Sequence, residues 1–201
     1  MESNRLMAQE LADLVTAAKA GDQAAFEELV RVTHADAYTL AFRMTGNEED
    51  AKDVVQEAYL RAWKGLKRFR GDAKFNTWLY RITANCAVTH LSRRTKDRHD
   101  VLGDEEAVAD PRALDTDPGA HLGAGDDRRI LQSALQSLSP EMRAVVVLRD
   151  IYDLPHEAIA AELGISEGAA KVRLHRARKK LRERLFPLRE QLTGEETAHA
   201  V

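Results

Sequence analysis

The segment LPHEAIAAELGISEGAAKVRLHRARKKLR, residues 154–182, contains the strongest structural signal in the chain. Pro155 stands where helices commonly begin, and apolar residues recur after it at helical spacing. Gly164 supplies a residue suited to a left-handed turn, and Ser166 is a preferred N-cap for a second, longer helix. A short helix, a glycine-containing turn and a basic second helix together predict a helix-turn-helix.

In such a unit the N-terminal part of the second helix enters the major groove of DNA. The polar and charged positions of the second helix are therefore candidate DNA contacts, and they are Ser166, Glu167, Lys171, Arg173, His175, Arg176, Arg178 and Lys179. The alternative is a basic surface helix in an ordinary bundle, but the coincidence of turn, cap and charge favours DNA binding. For His175, a role on the phosphate side or in packing is favoured over base reading.

Charge is segregated along the chain, although the formal net charge is only −3. Residues 61–98 contain eleven Lys or Arg against two Asp, and residues 166–185 contain eight Lys or Arg against two Glu. Residues 98–127 instead contain nine Asp or Glu against two Arg. Ordinary solvated helix faces would mix the two signs more evenly, so we expect two basic modules that bind a polyanion, joined by an acidic tether.

The fold class is predicted to be all-α, with two small helical domains joined by a flexible acidic linker. Helical periodicity runs from the N-terminus to about Arg93, with Asp22 and Asn47 as expected N-caps, and resumes near Arg129. The linker contains Asp-Pro twice, several glycines and no sustained apolar period. The predicted boundaries are 1–96 for the first domain, 97–127 for the linker, 128–192 for the second domain and 193–201 for a frayed tail.

Several classes of function are disfavoured by what the sequence lacks. It has no glycine-rich phosphate loop, no His or Cys pair at metal spacing and no convincing acid–base dyad. We therefore expect a protein that is not an enzyme, with no cofactor, no metal and no small-molecule substrate. Cys86 is the single cysteine, which excludes an internal disulfide, and inert packing is its expected role. The N-terminal residues lack a signal-peptide core and no run approaches membrane-spanning length, so a soluble, cytoplasmic protein without membrane insertion is expected.

Two further patterns occur in the N-terminal half. The apolar stripe of the helix expected after Asn47 leaves Asp53, Gln56, Glu57 and Leu60 on a second face, and spacing alone does not decide between a docking surface and a solvated face. The stretch RFRGDAKFNTWLYRITANCAVTHLSRR, residues 68–94, interleaves aromatic rings with Lys and Arg. Rings beside positive charges are what single-stranded nucleic acid requires, although burial in the core is the favoured role for Trp78.

With these segments described, the chain resembles the extracytoplasmic-function group of sigma factors in the sigma-70 family. Residues 47–69 resemble the region-two helix that docks on the β′ clamp helices of RNA polymerase. Residues 75–94 resemble the segment that melts and reads the minus-ten promoter element. Residues 154–182 resemble region four, which reads the minus-thirty-five element and contacts the β flap. The resemblance covers nearly the whole chain apart from the linker and the two tails.

The resemblance implies roles for individual residues. Polymerase contact falls to Asp53, Gln56, Glu57 and Leu60. The minus-ten contact falls to Lys74, Phe75, Thr77, Trp78, Arg81, Asn85, Arg93 and Arg94. In the recognition helix, Lys171, Arg173, Arg176 and Arg178 match the family. The chain departs from the family at Thr89, where many members have Asp, and at Ala169, Ala170 and Val172, where Thr, Val and Ser are more usual. A single contact to a base edge changes the discrimination between base pairs by about 1–3 kcal/mol. The promoter sequence that a relative reads therefore does not predict the one that this chain reads.

The function implied by the resemblance is binding to core RNA polymerase and promoter-specific initiation of transcription, in a stress or envelope response. The implied partners are core polymerase, promoter DNA and an anti-sigma factor. One alternative is a stand-alone helix-turn-helix regulator that binds an operator as a dimer. Another is an adaptor whose basic helices bind an acidic protein.

Overall fold

The computed structural model describes residues 2–71, 73–102 and 124–198, and the regular elements within these ranges are all helices. The N-terminal half contains α1 (Glu2–Lys19), α2 (Gln23–Thr45), α3 (Glu48–Gly65) and α4 (Phe75–Leu102), with a 3₁₀ turn at Leu66–Arg68. The C-terminal half contains α5 (Ala124–Gln136), α6 (Pro140–Val146), a π-helical turn at Val147–Ile151, α7 (His156–Leu163) and α8 (Glu167–Ala198). The predicted all-α class is confirmed.

The predicted N-caps define where α2 and α3 begin. The Asp22 carboxylate accepts a hydrogen bond from the Ala25 amide at 3.1 Å, and the Asn47 side chain accepts one from the Asp50 amide at 2.8 Å. Between them Gly46 ends α2 at φ +83°, a left-handed conformation that costs glycine little. These local signals set the angle between α2 and α3.

The N-terminal half packs α1, α3 and α4 around α2. Small residues on α3, at Ala51, Ala58 and Ala62, are fully buried and let the neighbouring helices approach closely. One polar link crosses this core, because the hydroxyls of Thr33 and Tyr59 lie 2.8 Å apart. Since buried polar groups destabilise a core unless they are paired, the link fixes α3 against α2.

The helix-turn-helix predicted from the opening segment is present. Gly164 lies at φ +64° between α7 and α8, and the Ser166 hydroxyl accepts a hydrogen bond from the Ala169 amide at 3.1 Å. Ala170, Leu174 and Ala177 form the buried stripe that seats α8. Positions 170, 174 and 177 share one helical face, which turns the rest of the helix to solvent.

A π-helical turn, Val147–Ile151, follows α6 directly. The Tyr152 amide bonds to the Val147 carbonyl at 3.3 Å, five residues back, and Asp153 follows with φ +52°. A π turn holds one more residue than an α turn, so it rotates the side chains that follow it. Here it places Tyr152 against the N-terminal half.

The two halves pack against each other. Helix α4 contacts α6 and α7, while α2 contacts α5, and apolar residues of both halves join in one buried cluster. The sequence had predicted two domains on a tether without indicating this contact.

The helix ends extend beyond their expected positions. Helix α4 continues to Leu102 rather than ending near Arg93, and α8 continues to Ala198, where a frayed tail was expected after Thr193. Of the predicted linker 97–127, residues 103–123 lie outside the described residues.

Candidate nucleic-acid interface

The four residues expected to contact polymerase lie on one exposed face of α3. Asp53, Gln56, Glu57 and Leu60 are all exposed, and Leu60 retains 48% of its surface. The Glu57 carboxylate accepts a hydrogen bond from Arg61 Nε at 2.6 Å, one turn further along the helix. The face therefore combines acidic and amide groups with an exposed leucine.

Trp63 adds to this face, although it continues the helical spacing of the apolar residues that α3 buries. The side chain is 40% exposed, and its ring packs on Phe26 with the ring centroids 4.7 Å apart. Trp63 stands at the edge of the apolar stripe, so one side of its ring contacts α2 and the other meets solvent. Together with Leu60, three residues earlier, it forms an exposed apolar spot on α3.

The aromatic residues before and within α4 pack mainly on one another. Phe75 is only 4% exposed, and the Trp78 ring centroid lies 4.9 Å from that of Phe69 and 5.8 Å from that of Phe75. Phe75 is thus a core residue and offers no free ring face for base stacking in this arrangement. Trp78 is half-buried, as are Thr77 and Arg81, whereas Lys74 is exposed.

Arg81 and Asn85 lie on the face of α4 that the C-terminal half covers. Arg81 Nε lies 3.4 Å from Glu162 Oε2, and Asn85 Nδ2 donates to Glu162 Oε1 at 3.4 Å. The sequence placed both residues in the minus-ten segment. It gave no signal for Glu162, since this residue follows Arg81 and Asn85 by 81 and 77 positions and belongs to the other half.

Arg93 and Arg94 are exposed at the far end of the same segment, and Arg94 pairs with Asp50 in the first turn of α3. Asp50 is 9% exposed, and its Oδ1 also lies 2.9 Å from His90 Nε2. Burial alone would raise the pKa of Asp50, but hydrogen bonds from Asn47 and His90 and the charge of Arg94 outweigh it and lower the pKa below its ordinary value. Asp50 was not singled out from the sequence.

The recognition helix α8 presents most of its expected contacts to solvent. Ser166, Glu167, Lys171, His175, Arg176, Arg178 and Lys179 are exposed and Arg173 is half-buried. Lys171 pairs with Glu167 at 2.7 Å along the helix. Arg178 forms a two-pronged pair with Asp150 of the π turn, at 3.0 and 2.6 Å. The pair with Asp150 links the middle of α8 to the π turn.

Other kinds of site find little support in the described residues. Within them no group of three His, Cys, Asp or Glu side chains is placed to hold a metal ion. None of the described helices combines the length and apolar character needed to cross a membrane. Cys86 is 3% exposed, and burial raises the pKa of its thiol to about 11. The thiol is therefore protonated near neutral pH, which agrees with a packing role.

The described residues thus form helices, with an exposed acidic and apolar face on α3, a basic segment on α4 and a basic helix-turn-helix. Residues 29–97 match the family "Sigma-70 region 2", and residues 128–181 match the family "Sigma-70, region 4".

Comparison with known proteins narrows this class. The chain is 41% identical over 172 residues to the ECF RNA polymerase sigma factor SigE of Mycolicibacterium smegmatis, covering 82% of this chain and 64% of SigE. It is 34% identical over 179 residues to the ECF RNA polymerase sigma factor SigW of Bacillus subtilis, covering 85% of this chain and 94% of SigW. Among solved structures, it is similar to the sigma factor RpoE in complex with the anti-sigma factor NepR from Bartonella quintana. That match has a TM-score of 0.59 and 25% identity, and covers 80% of this chain and 96% of RpoE.

The chain therefore belongs to the extracytoplasmic-function (ECF) sigma factors of the sigma-70 family. This bears out the resemblance drawn from the sequence motifs.

Proposed function

We propose that this protein binds core RNA polymerase in the cytoplasm and directs it to start transcription at specific promoters. The observation that carries the proposal is the presence of three surfaces in one chain. An exposed acidic and apolar face lies on α3, a basic segment follows on α4, and a basic recognition helix lies in a helix-turn-helix. A DNA-binding regulator that acts without polymerase does not require a polymerase-docking face such as the one proposed on α3.

Each surface has a separate role in the proposal. Asp53, Gln56, Glu57 and Leu60 contact the β′ clamp helices, and the C-terminal half contacts the β flap. The minus-ten element is engaged by Lys74, Thr77, Trp78, Arg81, Asn85, Arg93 and Arg94, with Phe75 supporting them from the core. Lys171, Arg173, Arg176 and their neighbours on α8 engage the minus-thirty-five element.

Binding through polymerase also explains how two small basic surfaces give useful affinity. Each surface alone makes few phosphate contacts and binds DNA weakly. When both are held on the same polymerase, the second contact becomes intramolecular, and the effective concentration raises the overall affinity.

An anti-sigma factor is a further proposed partner. The support is the similarity to RpoE, which was solved in complex with the anti-sigma factor NepR. The protein itself is proposed to have no catalytic activity, because promoter recognition requires binding surfaces rather than a reacting group. The relatives favour the sigma-factor function over a stand-alone dimeric regulator.

The test is run-off transcription. The purified protein is added to core polymerase on genomic DNA of the source organism, and transcript 5′ ends are mapped by sequencing. We expect discrete start sites that depend on the protein. Replacing Asp53, Gln56 and Glu57 together with Ala should abolish them by weakening core binding. Replacing the exposed pair Gln23 and Glu27 on α2 with Ala is the matched control and should change nothing. Absence of defined start sites, together with dimeric binding to palindromic duplexes without polymerase, would establish the stand-alone regulator instead.

A further inference from the structure

The inner face of the proposed minus-ten segment is already occupied by a side chain of the C-terminal half. Glu162 projects from α7, and its two carboxylate oxygens each approach a different residue of α4. One oxygen lies 3.4 Å from Arg81 Nε, and the other accepts from Asn85 Nδ2, also at 3.4 Å. The side chains of Arg81 and Glu162 are only 23% and 18% exposed. Glu162 therefore covers Arg81 Nε and occupies Asn85 Nδ2 while α7 stays in place.

The chemistry of this contact resembles that of nucleic acid. A carboxylate offers anionic oxygen acceptors, as a phosphate does, and Arg and Asn are side chains that pair with phosphate oxygens and base edges. Glu162 thus occupies the same donors that a DNA strand would use. Protein and DNA cannot hold them at the same time.

A second contact covers an aromatic ring of the same segment. The Tyr152 ring lies over that of Tyr80, with centroids 4.5 Å apart, and its hydroxyl accepts from Arg43 Nη1 at 3.0 Å. Tyr152 reaches this position because it follows the π-helical turn. Tyr80 is one of the aromatic residues among the basic residues of the stretch 68–94. Its ring packs against that of Tyr152 at an interplanar angle of 54°, so a base cannot approach it from that side.

A third contact holds the two halves together away from the DNA groups. The last carbonyls of an α-helix have no partner within the helix. At the end of α2, the Phe42 carbonyl accepts from the Gly46 amide at 2.8 Å and also from Gln132 Nε2 at 2.9 Å, and the Arg43 carbonyl accepts from Gln136 Nε2 at 3.2 Å. The buried guanidinium of Arg143 donates to the next carbonyl, that of Met44. Side chains of the C-terminal half thus cap a helix of the N-terminal half.

The contact at Glu162 is suited to release. Both of its distances are long for charge-assisted pairs, and Arg81 Nε is buried without a hydrogen bond to any described residue. A buried donor left unsatisfied disfavours the arrangement that buries it. A DNA acceptor that formed a hydrogen bond with Arg81 Nε would satisfy a donor that Glu162 leaves unsatisfied.

We propose that the free protein rests in a closed form, with α5–α7 packed on α2 and α4, in which Glu162 competes with single-stranded DNA for Arg81 and Asn85. The proposal rests on the proposed function in assigning these two residues to the minus-ten element. Opening the two halves, as simultaneous binding to separate sites on polymerase would require, frees both residues.

The first experiment measures closure directly, without DNA or polymerase. Spin labels are attached at Lys52→Cys on α3 and Lys180→Cys on α8, both exposed, in a Cys86→Ala background. Pulsed electron resonance of the otherwise unchanged protein should give one narrow distance distribution. Gln132→Ala/Gln136→Ala, which removes two caps of α2 without touching a DNA group, should add a longer, broader population. Glu162→Gln should do the same.

The second experiment measures access to the minus-ten surface. The probe is a fluorescein-labelled, random-sequence single strand of about 12 nucleotides, within the site sizes common for such surfaces. Glu162→Gln and Gln132→Ala/Gln136→Ala should each tighten binding about fivefold. Glu157→Gln is the matched control, because it removes the same charge from an exposed position of α7 and should have little effect. Arg81→Ala should cancel the gain caused by Glu162→Gln.

The outcomes separate this proposal from the proposed function. Unchanged distances in both opening variants, or an equal gain in DNA binding for Glu157→Gln, would overturn the closed form even in a protein active in run-off transcription. The converse result is a protein that closes and opens as described but directs no defined start sites with core polymerase. That result would support the closed form and contradict the proposed function.

Discussion

At the scale of single residues, the carboxylate of Asp50 links the first turn of α3 to the basic end of α4. Asp50 Oδ1 lies 2.9 Å from His90 Nε2, and the carboxylate also pairs with Arg94. The backbone amide of Asp50 donates to the side chain of Asn47, the N-cap of α3. Arg94 belongs to the proposed minus-ten segment. Asp50 is therefore a positioning residue that sets where this arginine lies relative to the proposed polymerase-binding face of α3.

We predict that Asp50→Asn lowers the free energy of unfolding by about 1.5–3 kcal/mol at neutral pH, the range for hydrogen bonds to a charged group. Since the pKa of Asp50 is lower in the folded protein than in the unfolded chain, its contribution is fully present above about pH 5 and declines as the pH falls toward the folded pKa. Urea unfolding of both proteins at a series of pH values measures this. The difference in stability should shrink as the solution is acidified.

Glu49→Gln is the matched control, since Glu49 shares the first turn of α3 but is exposed. It should cost a few tenths of a kcal/mol through the helix dipole alone. The difference in unfolding free energy between Asp50→Asn and the parent should not stay constant down to acidic pH. A constant difference would contradict the role given to the ionised carboxylate. The importance of Asp50 was not predictable from sequence, because His90 and Arg94 follow it by 40 and 44 positions.

At the scale of elements, α3 combines a buried face with an outer face whose apolar spot consists of Leu60 and Trp63. Leu60→Ala should weaken binding to core polymerase about tenfold, because a leucine that is half-exposed before docking contributes about 1–1.5 kcal/mol when fully buried. Titration of labelled protein with core polymerase gives the dissociation constant.

Val32→Ala provides the comparison for Leu60→Ala. Val32 on α2 is 46% exposed, close to the 48% of Leu60, but lies outside the proposed docking face. It should leave the affinity for core polymerase unchanged. Equal weakening by the two substitutions would show that loss of any exposed apolar side chain, rather than this face, explains the result.

Much of the element structure was predictable because its causes are local. The caps at Asp22, Asn47 and Ser139 and the turn at Gly164 follow from residue types within one turn of each boundary. The exposed face of α3 followed from helical period. The π turn was not predictable, since the apolar residues 145–147 also suit an ordinary helix. The exposure of Trp63 was not predictable from its spacing, because a residue at the edge of an apolar stripe can be buried on one side only.

At the scale of the whole molecule, the closed form depends on contacts between residues far apart in sequence. Gln132, Gln136 and Arg143 lie 90 or more positions from the carbonyls that they cap on α2. Composition and periodicity indicate that each half is helical, but they carry no information on which polar ends meet. The two-domain class was therefore accessible from sequence, and the closed contact that covers part of the proposed DNA surface was not.

Gly46 allows the contribution of this contact to be measured. A Cβ on Gly46 would lie 2.6 Å from Gln136 Cδ, whereas a Cβ on Gly21 would meet nothing within 4 Å, and both glycines have positive φ. Either Gly→Ala substitution should cost about 1–2 kcal/mol through left-handed backbone strain. Gly46→Ala should cost a further 0.5–1.5 kcal/mol, roughly one hydrogen bond, because Gln136 must give up the Arg43 carbonyl or the halves must separate. The protein can relieve the clash by opening, so this excess cannot be larger than the free energy of closure.

The Gln136→Ala background tests the cause of the excess. There the extra destabilisation by Gly46→Ala relative to Gly21→Ala, measured by urea unfolding, should vanish. An excess that persists without the Gln136 side chain would place the strain within α2 and remove Gly46 from the contact between the halves.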